Sequence, residues 1–376
     1  MTAPRVIVAI PARDESDYVQ RALEALAGQV GLDGRPLEGG LFDIVVFANN
    51  CRDDTAAAVR RFAAQVPHIA TQVVEGELPA LASHVGMARR LVLDRCAQRF
   101  LDCGRSGGIL ASTDADTIVA PDWIAWTLRE IATVDAVAGF VEIEPLEQQR
   151  LLAPVRLLYL REQAYRRALA ELEAVIDPLP DNPAPRHGSF VGASFAVTAR
   201  AYLAAGRLPA LPALEDLEFF YALRRIDARV RHSMRVRAAT SARRRARVDG
   251  GFGSFMATLH ERADHGQSHA VVHALQTLEE VTARAALRRL WCGGKEPSDV
   301  ACVSALVGLP APRWQALVEW RAPFGAAWER VLMLAARRRR VYPSQPVEEA
   351  TDALRSASAS LTAAIPTRTR AASGAG

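Results

Sequence analysis

The first half of the chain alternates short apolar runs with longer segments of helical periodicity, and no other feature restricts the fold as much. Val6 to Ile10 and Phe42 to Ala48 read as strands, followed by helical stretches over Asp17 to Gly28 and Asp54 to Gln65. Ala70 to Val74 is a weaker strand, Ser83 to Phe100 a strong helix, and Gly108 to Ser112 a strand. Pro121 to Ala132 is a helix with proline in its first turn, and Ala136 to Ile143 returns as a strand. Strands separated by helices lie parallel rather than as hairpins, in a mostly parallel central sheet covered on both faces. Ligands of such α/β folds bind beyond the carboxyl ends of the strands.

Beyond Ile143 the pattern changes. Leu146 to Val175 reads as one long amphipathic helix, and Asp177 to Pro185 holds four prolines in nine residues, which forbids regular structure. Gly188 to Val197 is rich in Gly and Ser, and Leu214-Glu215-Asp216-Leu217 opens another helix. After Arg229 arginine clusters and helical periodicity replace the strand alternation, with no further alternating strands expected after about Ala238. These shifts place a boundary near Gly253: an α/β unit over 1–253, a helical C-terminal extension over 254–350, and a tail over 351–376, rich in Ala, Ser and Thr, expected to be disordered. Within the extension, Ala270 to Leu290 gathers Val271, Val272, Leu275, Leu278, Val281 and Leu287 largely on one helical face, which is expected to pack within the molecule.

Composition closes off several classes. With 50% hydrophobic and 23% charged residues the chain is an ordinary folded protein, not a disordered one. No run reaches the roughly 18 to 20 apolar residues of a membrane-spanning helix, so the protein is not expected to be integral to the membrane, and peripheral association stays open. Met1 to Arg5 leads directly into an apolar segment too short for a secretory signal, so a cytoplasmic location is expected. Five cysteines, an odd number without any CxxC pair, fit free thiols in a reducing compartment. A net charge of +4 favours anionic partners only weakly.

No GxGxxG follows a strand, and Gly294-Lys295-Glu296 lacks the leading glycine and the hydroxyl residue of a phosphate-binding P-loop, which argues against dinucleotide dehydrogenases and P-loop NTPases. The strand ends carry polar loops instead: Pro11-Ala12-Arg13-Asp14-Glu15, Asn49-Asn50-Cys51-Arg52-Asp53-Asp54-Thr55 and Asp114-Ala115-Asp116. Asp114 and Asp116 stand at i and i+2, so in extended backbone their carboxylates point the same way and can share a cation. Hard oxygen ligands suit Mg²⁺ or Mn²⁺, which take further ligands from phosphates. Taken alone, such a pair more often makes turns and helix caps.

The order and spacing of these loops resemble family 2 glycosyltransferases of the GT-A fold over about Val6 to Gly253. The matching stretches are Val6 to Glu15, Asn49 to Thr55, Thr113 to Thr117, and Glu215-Asp216. The resemblance implies a GT-A type nucleotide-sugar-binding fold in which Pro11, Ala12, Arg13 and Glu15 hold the nucleotide. It further implies that Asn49 and Asp53 face the donor, Asn49 replacing an aspartate common in the family. Asp114 and Ala115 would contact the donor diphosphate, Asp114 and Asp116 would bind the metal, and Asp216 would be the catalytic base. His84 to Arg90 occupies the place of a family helix start, where Arg90 or Arg89 would approach phosphate. The implied donor is a nucleoside-diphosphate sugar, with a divalent cation, Mn²⁺ or Mg²⁺, and an unidentified hydroxyl acceptor. One base implies inversion at the anomeric carbon.

Some features fall outside that pattern. Arg243-Arg244-Arg245 with Arg247, followed by Gly250, Gly251 and Gly253, would suit a loop closing on diphosphate or a solvated charge run. His265, His269 and His273 recur every four residues, as on one helix face, and His260 or His232 could complete a metal shell. The function expected is therefore a metal-dependent, inverting glycosyltransferase. A sugar-phosphate nucleotidyltransferase and a non-catalytic nucleotide- or RNA-binding protein are the alternatives, although 6% aromatic residues offer little for nucleic acid and none is expected as a partner.

Overall fold

The computed structural model describes residues 4–243, 251–337 and 342–364. In chain order it begins β1 (Val6–Ala12), α1 (Val19–Ala27), β2 (Phe42–Asn49), α2 (Thr55–Gln65), β3 (Thr71–Gly76), α3 (Val85–Asp102) and β4 (Ile109–Ser112). It continues β5 (Thr117–Val119), α4 (Trp123–Glu130), β6 (Ala136–Ile143), α5 (Pro145–Arg150), α6 (Ala153–Ile176), β7 (Phe195–Thr198), α7 (Ala199–Ala204), α8 (Glu215–Arg225) and β8 (Val230–Thr240). The remainder is α9 (Phe252–Asp264), β9 (Ala270–Val271), α10 (Ala274–Trp291), α11 (Pro297–Val307), α12 (Ala311–Gln315), α13 (Phe324–Ala335), β10 (Gln345–Pro346) and α14 (Val347–Ala364). None of the described helices is long and apolar enough to cross a membrane.

The central sheet runs β3-β2-β1-β4-β7-β6-β8-β5. Pairings β2 to β3, β1 to β2, β1 to β4 and β6 to β8 are parallel, whereas β7 runs against both β4 and β6, and β5 against β8. Side-chain alternation divides the core between the faces. Val6, Val8 and Ile10 join Leu23 and Leu26 of α1, Val59 of α2 and Trp123 of α4 on one side. Ile7 and Ala9 join Val92, Leu93 and Cys96 of α3 with Phe219 and Leu223 of α8 on the other.

The register explains why the polar loops meet. β2, β1 and β4 are parallel neighbours, so Ala12, Asn49 and Ser112 all end at one edge. Because β7 is antiparallel to β4, Phe195 lies opposite Ser112 and the loop entering β7 starts at that edge. Likewise Thr117 faces Thr240, which sets Asp116 beside the chain leaving β8.

Several expectations are corrected. The segment over Leu146 to Val175 is two helices, because Pro154 at the start of α6 cannot continue a preceding turn and the residues before it are extended. The segment rich in Gly and Ser ends in β7, and the arginine-rich stretch after Arg229 is β8, whose Arg235 and Arg237 point outward from alternate positions. The part of the tail described, Thr351 to Ala364, is helical rather than disordered, with Val347, Ala350 and Leu354 buried against Tyr165, Ala168 and Leu172 of α6, and 365–376 lie outside the described residues. Ala270 and Val271 form a short strand rather than a helical turn, leaving Val272 and Leu275 half exposed, while Val281, Ala283, Ala286 and Leu287 of α10 are buried.

Besides α14 on α6, two more of the contacts between the C-terminal helices and the α/β part bear on the packing. Met256 and Leu259 of α9 bury against Val155, Leu158 and Tyr159 of α6. At the second, the Phe324 and Gly325 amides donate to the Asp227 carboxylate at 2.8 and 3.0 Å. A β-carbon on Gly325 would stand 1.9 Å from the Arg224 carbonyl oxygen, so this approach of α13 to α8 requires glycine.

Candidate active site

The first two loops are stitched together by side chains acting on backbone. Asp53 accepts from the Ser16 amide (2.9 Å) and the Thr55 amide (3.0 Å), and the Thr55 hydroxyl accepts from the Glu15 amide (2.8 Å). Asp14, at φ 51, accepts from the Arg52 amide at 2.7 Å. Burial opposes ionisation of Asp53, but hydrogen bonds from Thr55 and Ser16 outweigh it and hold the carboxyl down at about 2. Asp14, Cys51 and Asp53 bring their ligand atoms within 4.8 Å of one another, yet both carboxylates are already committed to backbone amides, and burial pushes the Cys51 thiol up. We read this trio as a bracket that fixes the loops.

Pro11 and Ala12 are buried at the end of β1, and Arg13 reaches the Ser83 carbonyl at 2.9 Å. Asn50, at φ 53, exchanges two hydrogen bonds with the Leu78 backbone, so the 77–83 segment closes over the second loop. Asn49 is buried at the end of β2, and its Oδ1 accepts no hydrogen bond among the described residues.

The third loop is organised by Arg89, whose side chain is 3% exposed. Its Nη2 lies 2.9 Å from Asp114 Oδ1 and its Nε 3.0 Å from Glu215 Oε1. Nη1 donates to Ser112 Oγ at 2.9 Å and to the Gly192 carbonyl at 3.0 Å. The Gly192 amide in turn donates to Asp216 Oδ2 at 2.7 Å. A single guanidinium therefore joins the loop after β4, the loop entering β7 and the start of α8. Burial pushes the Asp114 and Glu215 carboxyls up, and the Arg89 charge opposes it; the carboxylates keep Arg89 firmly ionised against its own burial. A β-carbon on Gly192 would come 2.5 Å from that guanidinium, and one on Gly86 only 1.9 Å from the Leu211 carbonyl oxygen. Both glycines are set by close approach.

Asp116 is held from the other side. The Ser241 hydroxyl donates to its Oδ2 at 2.5 Å, and Arg243 Nη2 pairs with the same oxygen and with Glu15 Oε1 at 3.0 Å. Burial works against the Arg243 charge, and the Glu15 and Asp116 carboxylates more than restore it.

The structure thus gathers Pro11, Ala12, Arg13, Glu15, Asn49, Asp53, Asp114, Asp116 and Asp216 at one edge of the sheet. Two expected residues stand differently. Arg90 points away from the carboxylates and pairs with Asp94 at 3.6 Å, because Arg89, with Val92, Leu93 and Cys96, lies on the buried stripe of α3. Ala115 is buried in the core beneath the loop, leaving only its backbone for a ligand. Arg244, Arg245, Arg247 and Gly250 lie outside the described residues. His265 ends α9, His269 pairs with Glu162 at 2.9 Å and His273 caps α10, so no single helix carries the three. His232 is buried against His187 and Asn182 on β8, and burial drives its basicity well down. Sequence reasoning did not foresee Ser112, Gly192 and Ser241 as partners of these carboxylates, since their roles depend on strand register. For Arg89 the helical period was the available signal.

Residues 4–247 match the model of glycosyltransferase-like family 2. The chain belongs to that family, and it is a glycosyltransferase with an α/β fold of the GT-A type. The nucleotidyltransferase and RNA-binding alternatives give way to this assignment. No curated protein sequence matches the chain significantly. Among solved structures it is similar to the mannosyltransferase PcManGT from Pyrobaculum calidifontis in complex with GDP-Man and Mn²⁺, at 18% identity and TM-score 0.46, covering 96% of this chain and 86% of that one. It is also similar to S. aureus TarS 1-349 in complex with UDP-GlcNAc, at 14% identity and TM-score 0.44, covering 96% and 92%.

Proposed function

We propose that the protein transfers a sugar from a nucleoside-diphosphate sugar to a hydroxyl acceptor, with inversion and with a divalent cation at Asp116. The observation that supports this reading is the Arg89 bridge, which ties Asp114 and, through Gly192, Asp216 to one edge of the sheet; we assign the donor to the first and the acceptor to the second. The loops at 12–15 and 49–55 would enclose the nucleotide, with Arg13 and Asn49 facing it and Asp53 fixing the loops that hold it. Asp114, fixed by Arg89, orients the donor. We assign the catalytic unit to residues 1–253 and a supporting role to the helices beyond it.

The donor set at Asp116 fits a hard cation. Its carboxylate supplies hard oxygen ligands, and the positive charge now paired with it, that of Arg243, is one a cation would replace. A divalent cation held by Asp116 would supply charge neutralisation for the departing diphosphate. Asp216 receives the proton of the acceptor hydroxyl on a carboxylate oxygen, and its bond from the Gly192 amide fixes the orientation of that group. One base acting opposite the leaving group gives inversion.

Calorimetric titration with a panel of nucleoside diphosphates, with Mn²⁺ and with EDTA, tests the reading. At least one nucleotide should bind only with the cation, and Asp116→Ala should abolish that coupling. Equal affinity in EDTA and Mn²⁺ for every nucleotide would remove the cation from Asp116, and no binding of any nucleotide would remove the donor.

A further inference from the structure

Asp116 has a positive partner within the chain itself. Arg243 lies three residues past the end of β8, and its guanidinium pairs with Asp116 Oδ2 and with Glu15 Oε1 at 3.0 Å. Its Nε donates to Ser241 Oγ at 3.1 Å, and its carbon lies 4.3 Å from the centre of the Tyr18 ring. Two carboxylates and an aromatic face are a complete receptor for one positive charge. The Ser241 hydroxyl takes the same Asp116 oxygen, so that oxygen is engaged by two donors.

A metal dication and a guanidinium cannot share one carboxylate oxygen at contact distance without strong repulsion. A cation arriving alone on that oxygen would have to displace Arg243 from it. A diphosphate changes the balance, because the guanidinium fork finds matching oxygens on phosphate when it leaves Asp116. We infer that Arg243 is an internal counter-cation of Asp116, so that divalent-cation binding is coupled to transfer of Arg243 onto an anionic ligand. The inference rests on the cation placement at Asp116 proposed above. It adds an order of events: cation and diphosphate enter together, and the cation does not precede the donor.

The test uses the full chain and measures Mn²⁺ binding by the loss of the free-ion electron paramagnetic resonance signal. Mn²⁺ is titrated alone and with inorganic pyrophosphate, with protein-free titrations as reference. Arg243→Ala should bind Mn²⁺ alone about tenfold tighter than the parent. Pyrophosphate should strengthen Mn²⁺ binding more in the parent than in the variant. Tyr18→Leu, which keeps the charge and removes the ring beneath it, should shift affinity in the same direction by less. Asp116→Asn should remove binding in either background. Equal or weaker Mn²⁺ binding by Arg243→Ala would overturn the inference, and so would absence of Mn²⁺ binding in both proteins. In that last case, nucleoside-diphosphate binding that persists without metal would leave the transferase reading standing.

Discussion

Replacing Arg89 by methionine would leave the length and apolar stem of the side chain while deleting the charge that holds three segments together. Glu215 is 5% exposed and Asp114 30%, so Glu215 has almost no access to water once its partner is gone, whereas Asp114 is partly rehydrated. Breaking a buried pair by removing one member costs about 3–5 kcal/mol, and discounting the Asp114 share leaves roughly 4 kcal/mol. With an unfolding entropy of roughly 2.1 cal/mol/K per residue, that is a fall in Tm of about 5 °C for a chain of this length. Urea unfolding followed by circular dichroism reads the loss directly. The double variant Arg89→Met with Glu215→Met should recover at least half of it, since an apolar pair replaces the stranded carboxylate. Arg89→Lys should recover less than the charge alone suggests, because an ammonium cannot reach Asp114, Glu215, Ser112 and Gly192 together. A parental urea midpoint for Arg89→Met, or a double variant weaker than the single one, would refute the argument that Arg89 compensates buried charge.

Other substitutions follow from the same geometry. Gly86→Ala should displace the 211–216 segment and lower turnover more than donor affinity, because the new β-carbon meets the Leu211 carbonyl at 1.9 Å; unchanged kinetics would show that the segment is free to move. Burial lowers His187 to about 4 from its ordinary 6.5, so the unfolded chain binds the extra proton as pH falls between those values. Its stabilising contribution, roughly 3 kcal/mol, is complete above about pH 6.5 and fades towards pH 4. His187→Gln should flatten that acid limb in urea unfolding, and an identical limb would contradict it. Truncation at Gly253 should expose Tyr165, Ala168 and Leu172 of α6 and cause aggregation, whereas a soluble, fully active truncated monomer would show that the C-terminal helices do not complete the enzyme.

How much of this was legible beforehand depended on where the information lay. The parallel strands β1, β2, β4 and β6 carry largely apolar runs, interrupted only by residues such as Asp43 and Glu142, because both faces of the sheet are covered, and such runs stand out from their surroundings. The strand β8 was hidden because Arg231, Arg235 and Arg237 give it the charge of a surface helix, and β7 because its four residues follow a stretch of Gly and Ser. Those two strands set the register that brings Gly192 to Ser112 and Ser241 to Asp116, so the partners of the carboxylates were out of reach of sequence reasoning although the carboxylates themselves were not. The choice between Arg89 and Arg90 was decided by one position of helical phase. The helix of the tail was missed because Val347 and Ala350 of its apolar stripe precede Thr351, leaving Leu354 within a segment rich in Ala, Ser and Thr.

The measurement that bears most directly on the account compares donor affinity with turnover in Asp216→Asn, using the nucleotide sugar whose nucleoside diphosphate the calorimetric panel selects. The amide keeps the shape and the bond from Gly192 but cannot take the proton. The account predicts donor affinity close to the parental value and turnover lower by about 10²- to 10⁴-fold. Turnover at the parental rate would contradict it and reduce Asp216 to a charge at the start of α8.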